Sequence, residues 1–284
     1  MSLRVRSLPG ANAAGEAAAP LLLMLFILAS WEGMVRLLGI QTFVLPAPTQ
    51  IVATVFTDRA IIFRHLQVTL FEILSGYMLA AVVGFIVSLA TVYSAAFRRG
   101  ALPLIVAAQT IPVIAIAPIL VIWFGYNAVP RIIITALVAF FPLTISFVTG
   151  LQSVTKDFIS FFRSLNASEF QIFLKLRLPN GLANIFAGLK VATTLAVVGA
   201  TISEWVGASE GIGYLIAQDT AQINTARVFA SLVVLGVCGM AFFAAVGLAE
   251  RVAMPWIHGK LAWPGLAMRA AAKRDLATTA ATRE

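Results

Sequence analysis

The chain has 284 residues, of which 60% are apolar and 11% are charged, and its formal net charge is +8. A soluble domain carries charge on about a quarter of its residues, so this composition excludes an ordinary soluble fold. The basic residues fall between apolar runs instead of gathering on one polar face, which argues against a nucleic-acid-binding protein.

The apolar runs are long enough to cross a lipid bilayer. A helix of about 20 apolar residues spans the hydrocarbon core, and the sequence contains about six such windows. Residues 1–17 precede the first window, which we interpret as a retained span because no small-residue cleavage site follows it. The sequence therefore predicts an all-α, polytopic membrane protein. We place its spans near residues 18–38, 69–93, 102–124, 132–150, 185–205 and 228–249.

The distribution of lysine and arginine predicts the orientation in the membrane. Basic residues near the ends of spans are retained on the cytoplasmic side. With the N-terminus inside, most of the 20 basic residues lie in cytoplasmic segments. We therefore predict that both termini are cytoplasmic and that residues 18–257 form the transmembrane domain. Residues 258–284 are rich in Ala, Thr and charge, and we expect a mobile cytoplasmic tail there.

The loop between the fourth and fifth spans, residues 151–184, is too long and too apolar to be a simple connection. Phe158, Phe161, Phe162 and Leu165 recur at the spacing of one helical face, which predicts a short amphipathic helix. Asn166 follows it and tolerates the left-handed conformation that often ends a helix. We therefore expect a turn at that residue.

A second short helix is predicted directly after the turn. Ser168 and Gln171 have the spacing of a capping box, in which each side chain pairs with the other residue's backbone amide. Phe170 and Phe173 lie on this helix, and Pro179 is expected to stop it. An amphipathic loop of this kind could simply lie on lipid headgroups, which is the simpler alternative.

The loop sequence closely resembles the EAA loop of bacterial ABC importer permeases. The similar pieces are Arg163-Ser164-Leu165-Asn166-Ala167-Ser168, then Gln171-Ile172-Phe173 and Leu176-Arg177-Leu178-Pro179. In that family the loop inserts into a groove on a cytoplasmic ATPase. Ser160-Phe161-Phe162 stands where Glu-Ala-Ala is usual, and Asn166 replaces a glycine. The resemblance implies that the ATPase-coupling residues are Phe161, Phe162, Arg163, Leu165, Asn166, Ala167, Ser168, Phe170, Phe173 and Pro179.

Residues 31–257 also resemble a narrower branch that includes permeases for nitrate, sulfonates, taurine and thiamine precursors. The similar pieces include Leu45-Pro46-Ala47-Pro48, Phe140-Phe141-Pro142 and Glu204-Trp205-Val206-Gly207-Ala208. The resemblance implies a type I ABC importer permease in the inner membrane, working as a homodimer with two ATPase subunits and a periplasmic solute-binding protein. It implies no cofactor on this chain, because ATP would be bound by the ATPase.

Polar residues within the predicted spans are candidates for the solute path. Charge in a bilayer costs at least about 2.5 kcal/mol, so each such residue needs a reason to be there. Snorkelling to the interface is the simpler interpretation for Glu72 and Lys190. Span three contains prolines that predict a kinked helix, which either lines a cavity or packs against a neighbour. The predicted path residues are Gln109, Thr110, Pro112, Thr201 and Glu204.

The leading interpretation is a permease subunit that performs no catalysis. The alternatives are a membrane-embedded enzyme and a channel without ATPase coupling. An enzyme would need convergent acids, histidines or a nucleophile, whereas His65 and His258 are far apart and the single cysteine, Cys238, lies in a span. We therefore predict no catalytic residues and no metal ligands. The stretches Gln109 to Pro112 and Ser203 to Gly207 resemble permeases for aromatic vitamin precursors such as aminopyrimidines slightly more than they resemble nitrate carriers, and this resemblance implies an aminopyrimidine-like solute.

Overall fold

A computed structural model describes residues 13–258, which include most of the predicted transmembrane domain. The predicted N-terminal segment and tail fall largely outside this range. The described part of the chain is helical and contains no β-strand. Its helices are α1 Ala13–Leu37, α2 Pro48–Thr57, α3 Arg59–Tyr93, α4 Ala95–Ala108, α5 Val113–Phe124, α6 Ala128–Gln152, α7 Lys156–Ser164, α8 Glu169–Ile172, α9 Leu178–Gly207, α10 Ile212–Ala221, α11 Thr225–Ala253 and α12 Pro255–His258.

Five of the described helical segments are long and apolar enough to cross a membrane, and α4 with α5 forms a sixth as a bent pair. This confirms the prediction of about six spans. The five segments lie in α1, α3, α6, the continuous stretch Glu169–Gly207, and α11.

The third predicted span, residues 102–124, is broken instead of being a single kinked helix. The axes of α4 and α5 differ by 97° at the break between them. Pro112 stands directly before α5 with extended backbone angles, φ −61° and ψ 109°. Proline has no N–H to continue the helical hydrogen bonds, and it disfavours helical geometry in the residue before it. The chain therefore turns at the residues just before Pro112.

Helix α6 packs between α3 and α9 and forms the centre of the bundle. Small residues allow these backbones to approach each other closely, as is common between membrane helices. A Cβ atom on Gly181 of α9 would lie only 2.8 Å from the carbonyl oxygen of Gly150 on α6. On α3, a Cβ atom at Gly76 would lie 2.6 Å from the side chain of Thr135. Larger residues at either glycine would push the helices apart.

Little of helices α1 and α11 is buried within the described chain. Only 6% of the span window in α1 and 11% of that in α11 is buried, against 44% in α6. Leu21, Phe26 and Ile27 on α1 are more than half exposed. Lipid is the natural solvent for such apolar surface. The first compact unit ends at Phe243, and a second unit begins at Ala244 within α11.

The second helix of the 151–184 loop does not stop at Pro179, which corrects the sequence prediction. A π-helical turn, Phe173–Arg177, joins α8 directly to α9. In this turn the backbone amide of Leu178 bonds to the carbonyl of Phe173, five residues earlier. Pro179 then falls in the first turn of α9, where a missing N–H is tolerated. The wide turn thus absorbs the proline without ending the helix.

Candidate functional site

Helix α7 presents apolar side chains to the outside of the bundle. Phe158, Phe161 and Leu165 are each more than half exposed, whereas Ile159 on the opposite side of the helix is buried. Phe170, in the first turn of α8, is 68% exposed. We refer to Phe158, Phe161, Leu165 and Phe170 as the apolar loop surface. The sequence prediction of an amphipathic helix in this loop is therefore confirmed.

The turn between α7 and α8 has a defined geometry. Asn166 has φ 60°, in the left-handed region that the sequence predicted for it. Its backbone amide donates to the carbonyl of Arg163 at 2.9 Å, and the amide of Ala167 donates to that of Phe162 at 3.1 Å. This pair of bonds is the Schellman motif, which satisfies the last carbonyls of a helix. The turn is consequently fixed by the backbone itself.

The capping box predicted at the start of α8 is present. The amide of Gln171 donates to the Ser168 hydroxyl at 3.3 Å, and the amide of Ser168 donates to Oε1 of Gln171 at 2.9 Å. Across the turn, the Arg163 guanidinium contacts the Glu169 carboxylate at 2.7 Å. Because both groups of this ion pair are more than half exposed, it contributes little stability by itself. The caps and the turn therefore hold the two helices in place.

The loop is attached to the bundle by contacts that the sequence analysis did not identify. The Arg177 guanidinium donates to the carbonyl of Leu151 at 3.1 Å, and the Asn180 amide donates to the Ser153 hydroxyl at 2.9 Å. Ile172, the last residue of α8, is fully buried. The two hydrogen bonds join the start of α9 to the end of α6.

The predicted path residues lie in two different environments. Gln109 and Thr110 are exposed at the break between α4 and α5, and Pro112 begins α5. Thr201 is half-buried and donates to the carbonyl of Val197 at 2.8 Å. Glu204 is 1% exposed, enclosed where α9 meets α3 and α10. Their part in solute passage stays a prediction.

The start of α10 is capped by side chains from two transmembrane helices. The first amides of a helix have no partners within it and carry partial positive charge. Here three consecutive amides donate to acceptors on α3 and α9. We call this arrangement the outer cap, because the orientation predicted from the sequence would place it on the outer side. Its hydrogen bonds run from Gly211 N to His65 Nδ1 at 3.0 Å, from Ile212 N to Thr69 Oγ1 at 2.7 Å, and from Gly213 N to Glu204 Oε2 at 2.5 Å.

Glu72 lies beside the outer cap and is fully buried, which corrects the expectation that it snorkels. The Arg131 guanidinium reaches it from α6, with 2.9 Å between Nη1 and Oε1. This contact satisfies the distance of an ion pair, but neither oxygen of Glu72 receives a hydrogen bond of acceptable geometry. Arg131 also approaches the carbonyl of Glu210 at 3.3 Å. This contact was not predicted from the sequence.

The far end of α10 is held by a second buried charge. Asp219 is fully buried and forms a two-pronged ion pair with Arg227, in which Nε lies 2.7 Å from Oδ2. Arg227 also lies 3.6 Å from the Asp58 carboxylate, at the start of α3. Both ends of α10 are therefore tied to neighbouring elements by charged side chains.

A bundle of apolar helices with a broken span and a protruding two-helix loop defines a multi-pass membrane protein. Residues 76–255 match the family of binding-protein-dependent transport system inner membrane components. This chain belongs to that family.

Two relatives of known type are similar over most of the chain. A formylaminopyrimidine transport permease protein from Halalkalibacterium halodurans is 38% identical, and the alignment covers 85% of this chain and 96% of the relative. A putative aliphatic sulfonates transport permease protein from Bacillus subtilis is 31% identical, with 83% and 86% covered. These relatives confirm the resemblance stated from the sequence motifs. The chain is a permease subunit of an ABC importer for a small solute.

A solved structure supports the fold separately. The MetNI methionine ABC transporter in inward-facing conformations matches with a TM-score of 0.59 at 18% identity, covering 69% of this chain and 98% of the matched chain. At this identity the likeness concerns the fold, and it confirms the type I permease architecture. The alternatives of a membrane-embedded enzyme or an uncoupled channel are not supported by any of these comparisons.

Proposed function

We propose that the apolar loop surface docks into a groove on a cytoplasmic ATPase and couples ATP hydrolysis to solute import. The observation that carries this proposal is four largely exposed apolar side chains on two helices whose turn and caps are fixed by hydrogen bonds. A rigid apolar patch suits a protein partner, since little conformational entropy is lost when it binds. The ATPase, and not this chain, binds ATP.

The proposed assembly contains two copies of this chain, two ATPase subunits and a periplasmic solute-binding protein. The exposed apolar sides of the spans are compatible with a second copy and with lipid. The excess of basic residues near one set of span ends favours cytoplasmic termini and a cytoplasmic loop. The bonds from Arg177 and Asn180 to the end of α6 supply a route from the docking surface to the bundle.

The docking proposal is tested by co-expressing the chain with a candidate ATPase and measuring pull-down and ATP hydrolysis. Phe170→Asp places an unpaired charge in the interface and is expected to abolish binding. The matched control is Ser160→Asp, which adds the same charge to α7 at an exposed position outside the apolar loop surface. If the ATPase binds the Phe170→Asp variant as well as it binds the wild type, the surface is not the docking site.

The orientation is tested by labelling single cysteines with a membrane-impermeant maleimide. The chain has one cysteine, Cys238, so a Cys238→Ser background is free of thiols. A cysteine at Ser164 is expected to react only after the cells are permeabilised. A cysteine at Asn224, between α10 and α11, is expected to react in intact cells with a permeable outer membrane. The opposite pattern would reverse the proposed orientation.

We also propose an aminopyrimidine as the solute. The support is the 38% identity to a permease named for formylaminopyrimidine, which exceeds the 31% identity to the relative named for sulfonates. In addition, the largely buried cation Arg131 already contacts Glu72 at 2.9 Å, so it offers no free anion site. Uptake of labelled formylaminopyrimidine, alkanesulfonate and nitrate by the reconstituted importer tests this choice. Transport of either anion without transport of the aminopyrimidine would refute it.

A further inference from the structure

Two carboxyl groups and one guanidinium meet inside the bundle next to the outer cap. Glu72 on α3 and Glu204 on α9 are 0% and 1% exposed. Thr69 lies one turn before Glu72 on α3 and donates to Glu204 at 2.6 Å, so the two carboxyl groups are neighbours. Arg131 on α6 contacts Glu72, with 2.9 Å between Nη1 and Oε1. Two ionised carboxylates beside one guanidinium would leave an uncompensated negative charge at a site shielded from water. Such a charge is strongly unfavourable, and adjacent carboxyl groups usually avoid it by sharing a proton.

The hydrogen bonds favour Glu204 over Glu72 as the anion. Glu204 receives the hydroxyl of Thr69 at 2.6 Å on Oε1 and the amide of Gly213 at 2.5 Å on Oε2. Donors at both oxygens and the positive end of α10 stabilise the ionised form of Glu204. Glu72 has no such donor at either oxygen. A protonated Glu72 would instead use its own O–H to donate to Glu204.

We propose that Glu72 and Glu204 form a binding site for one proton, carried by Glu72 at neutral pH and donated to the Glu204 carboxylate. With this proton in place, the negative charge of Glu204 balances the positive charge of Arg131. The buried Glu72 oxygen gains a hydrogen-bond partner, and Glu204 remains the acceptor for the outer cap. The proton thereby links α3 and α9 to the start of α10. This inference does not depend on the ATPase-docking proposal.

Other ionisable groups around the site do not supply the missing positive charge. His65, one turn before Thr69 on α3, accepts the Gly211 amide through Nδ1, so that nitrogen carries no proton. Arg64 points to the Glu210 carboxylate, with 2.5 Å between Nη2 and Oε1, and both of these groups are largely exposed. Asp58 and Asp219 pair with Arg227. Arg131 is therefore the cation that contacts this pair, through Glu72.

Infrared difference spectroscopy of the full chain in lipid tests the proposal directly. A protonated carboxyl group has a C=O stretching band distinct from that of a carboxylate, and an ordinary glutamate, with a pKa of about 4.3, is ionised at neutral pH. The spectrum of the wild type minus that of Glu72→Gln is expected to contain the protonated-acid band at neutral pH. The matched control, Glu210→Gln, changes a partly exposed glutamate that contacts Arg64 and is expected to give no such band.

A second measurement keeps the proposal testable if Glu72→Gln does not fold. Labelling the glutamate carboxyl groups of the wild-type chain with ¹³C should shift the protonated-acid band at neutral pH relative to the unlabelled chain. Such a shift assigns the proton to a glutamate. The folded state of a Glu72→Gln variant should also bind one proton fewer than the folded wild type. The pH dependence of its folding equilibrium should therefore differ from that of the wild type by about tenfold per pH unit. Absence of the acid band from the wild type at neutral pH would overturn the proposal. So would an unchanged pH dependence in the folded variant.

Discussion

The two ends of the segment Glu169–Gly207 carry opposite kinds of surface. At its beginning, apolar side chains of the loop are exposed. A hydrogen bond from the Arg177 guanidinium to the Leu151 carbonyl connects the loop to α6. At its end, the Glu204 carboxylate is buried, and its partners come from α3 and α10. The exposed apolar surface is suited to a separate protein, whereas the buried polar group is satisfied within the chain. Substitutions at the loop should therefore change coupling, and substitutions at the outer cap should change stability.

The largest expected effect is that of Glu204→Ala. It leaves the Gly213 amide and the Thr69 hydroxyl without their buried acceptor. Removing one partner of a buried charged network costs about 3–5 kcal/mol. Reversible unfolding in mixed detergent micelles measures the loss. The control is Glu210→Ala, which removes the exposed ion pair with Arg64 and should cost no more than about 1 kcal/mol. Equal losses from the two variants would mean that the outer cap contributes no special stability.

Gly213→Ala is expected to have the next largest effect. The added Cβ atom would lie 2.6 Å from the carbonyl oxygen of Thr201 and 2.8 Å from Oε2 of Glu204. Overpacking of this kind costs about 1–3 kcal/mol. The same unfolding measurement applies. Gly236→Ala on α11 is the control, because a Cβ atom there meets nothing within 4 Å. A loss at Gly236 as large as that at Gly213 would contradict the packing argument.

Asn166→Val should have a smaller effect that is confined to the loop. A β-branched residue at φ 60° is strained by about 1–2 kcal/mol, whereas glycine adopts this conformation freely. We expect faster amide exchange at Ala167 and weaker stimulation of the ATPase in the valine variant. Asn166→Gly is the control and should behave like the wild type. If the glycine variant is as impaired as the valine variant, the Asn166 side chain matters and not its backbone conformation.

The same comparison explains what could be predicted from the sequence. The capping box and the turn of the loop could be predicted because each depends on residues close together in the sequence. Ser168 and Gln171 are three residues apart, and asparagine tolerates the left-handed conformation found at Asn166. Pro179 misled the prediction because proline usually ends a helix, while the π-helical turn before it is a tertiary adjustment with no simple sequence pattern.

The outer cap could not be predicted in the same way. Glu72, Arg131 and Glu204 lie on three different helices, and no spacing rule connects them. Each was visible as a charged residue in or beside an apolar span, which is itself a reason to expect a partner. Identifying that partner required the packing of α6 between α3 and α9. The prediction that Glu72 snorkels was wrong because the position of a residue along a span does not reveal whether it faces lipid or the other helices.

The smallest expected effect is that of Ser168→Ala, which removes the side-chain acceptor at the start of α8. Loss of such a cap costs about 1 kcal/mol, and here it should appear as local opening rather than global unfolding. Amide exchange at Gln171 should become faster, while exchange in α6 stays unchanged. Ser164→Ala is the control, since that hydroxyl donates to the carbonyl of Phe161 and caps no helix start. If exchange in α6 also accelerates, the loop and the bundle unfold as one unit. The rigid route from the loop to the central helices would then be stronger than its few hydrogen bonds imply.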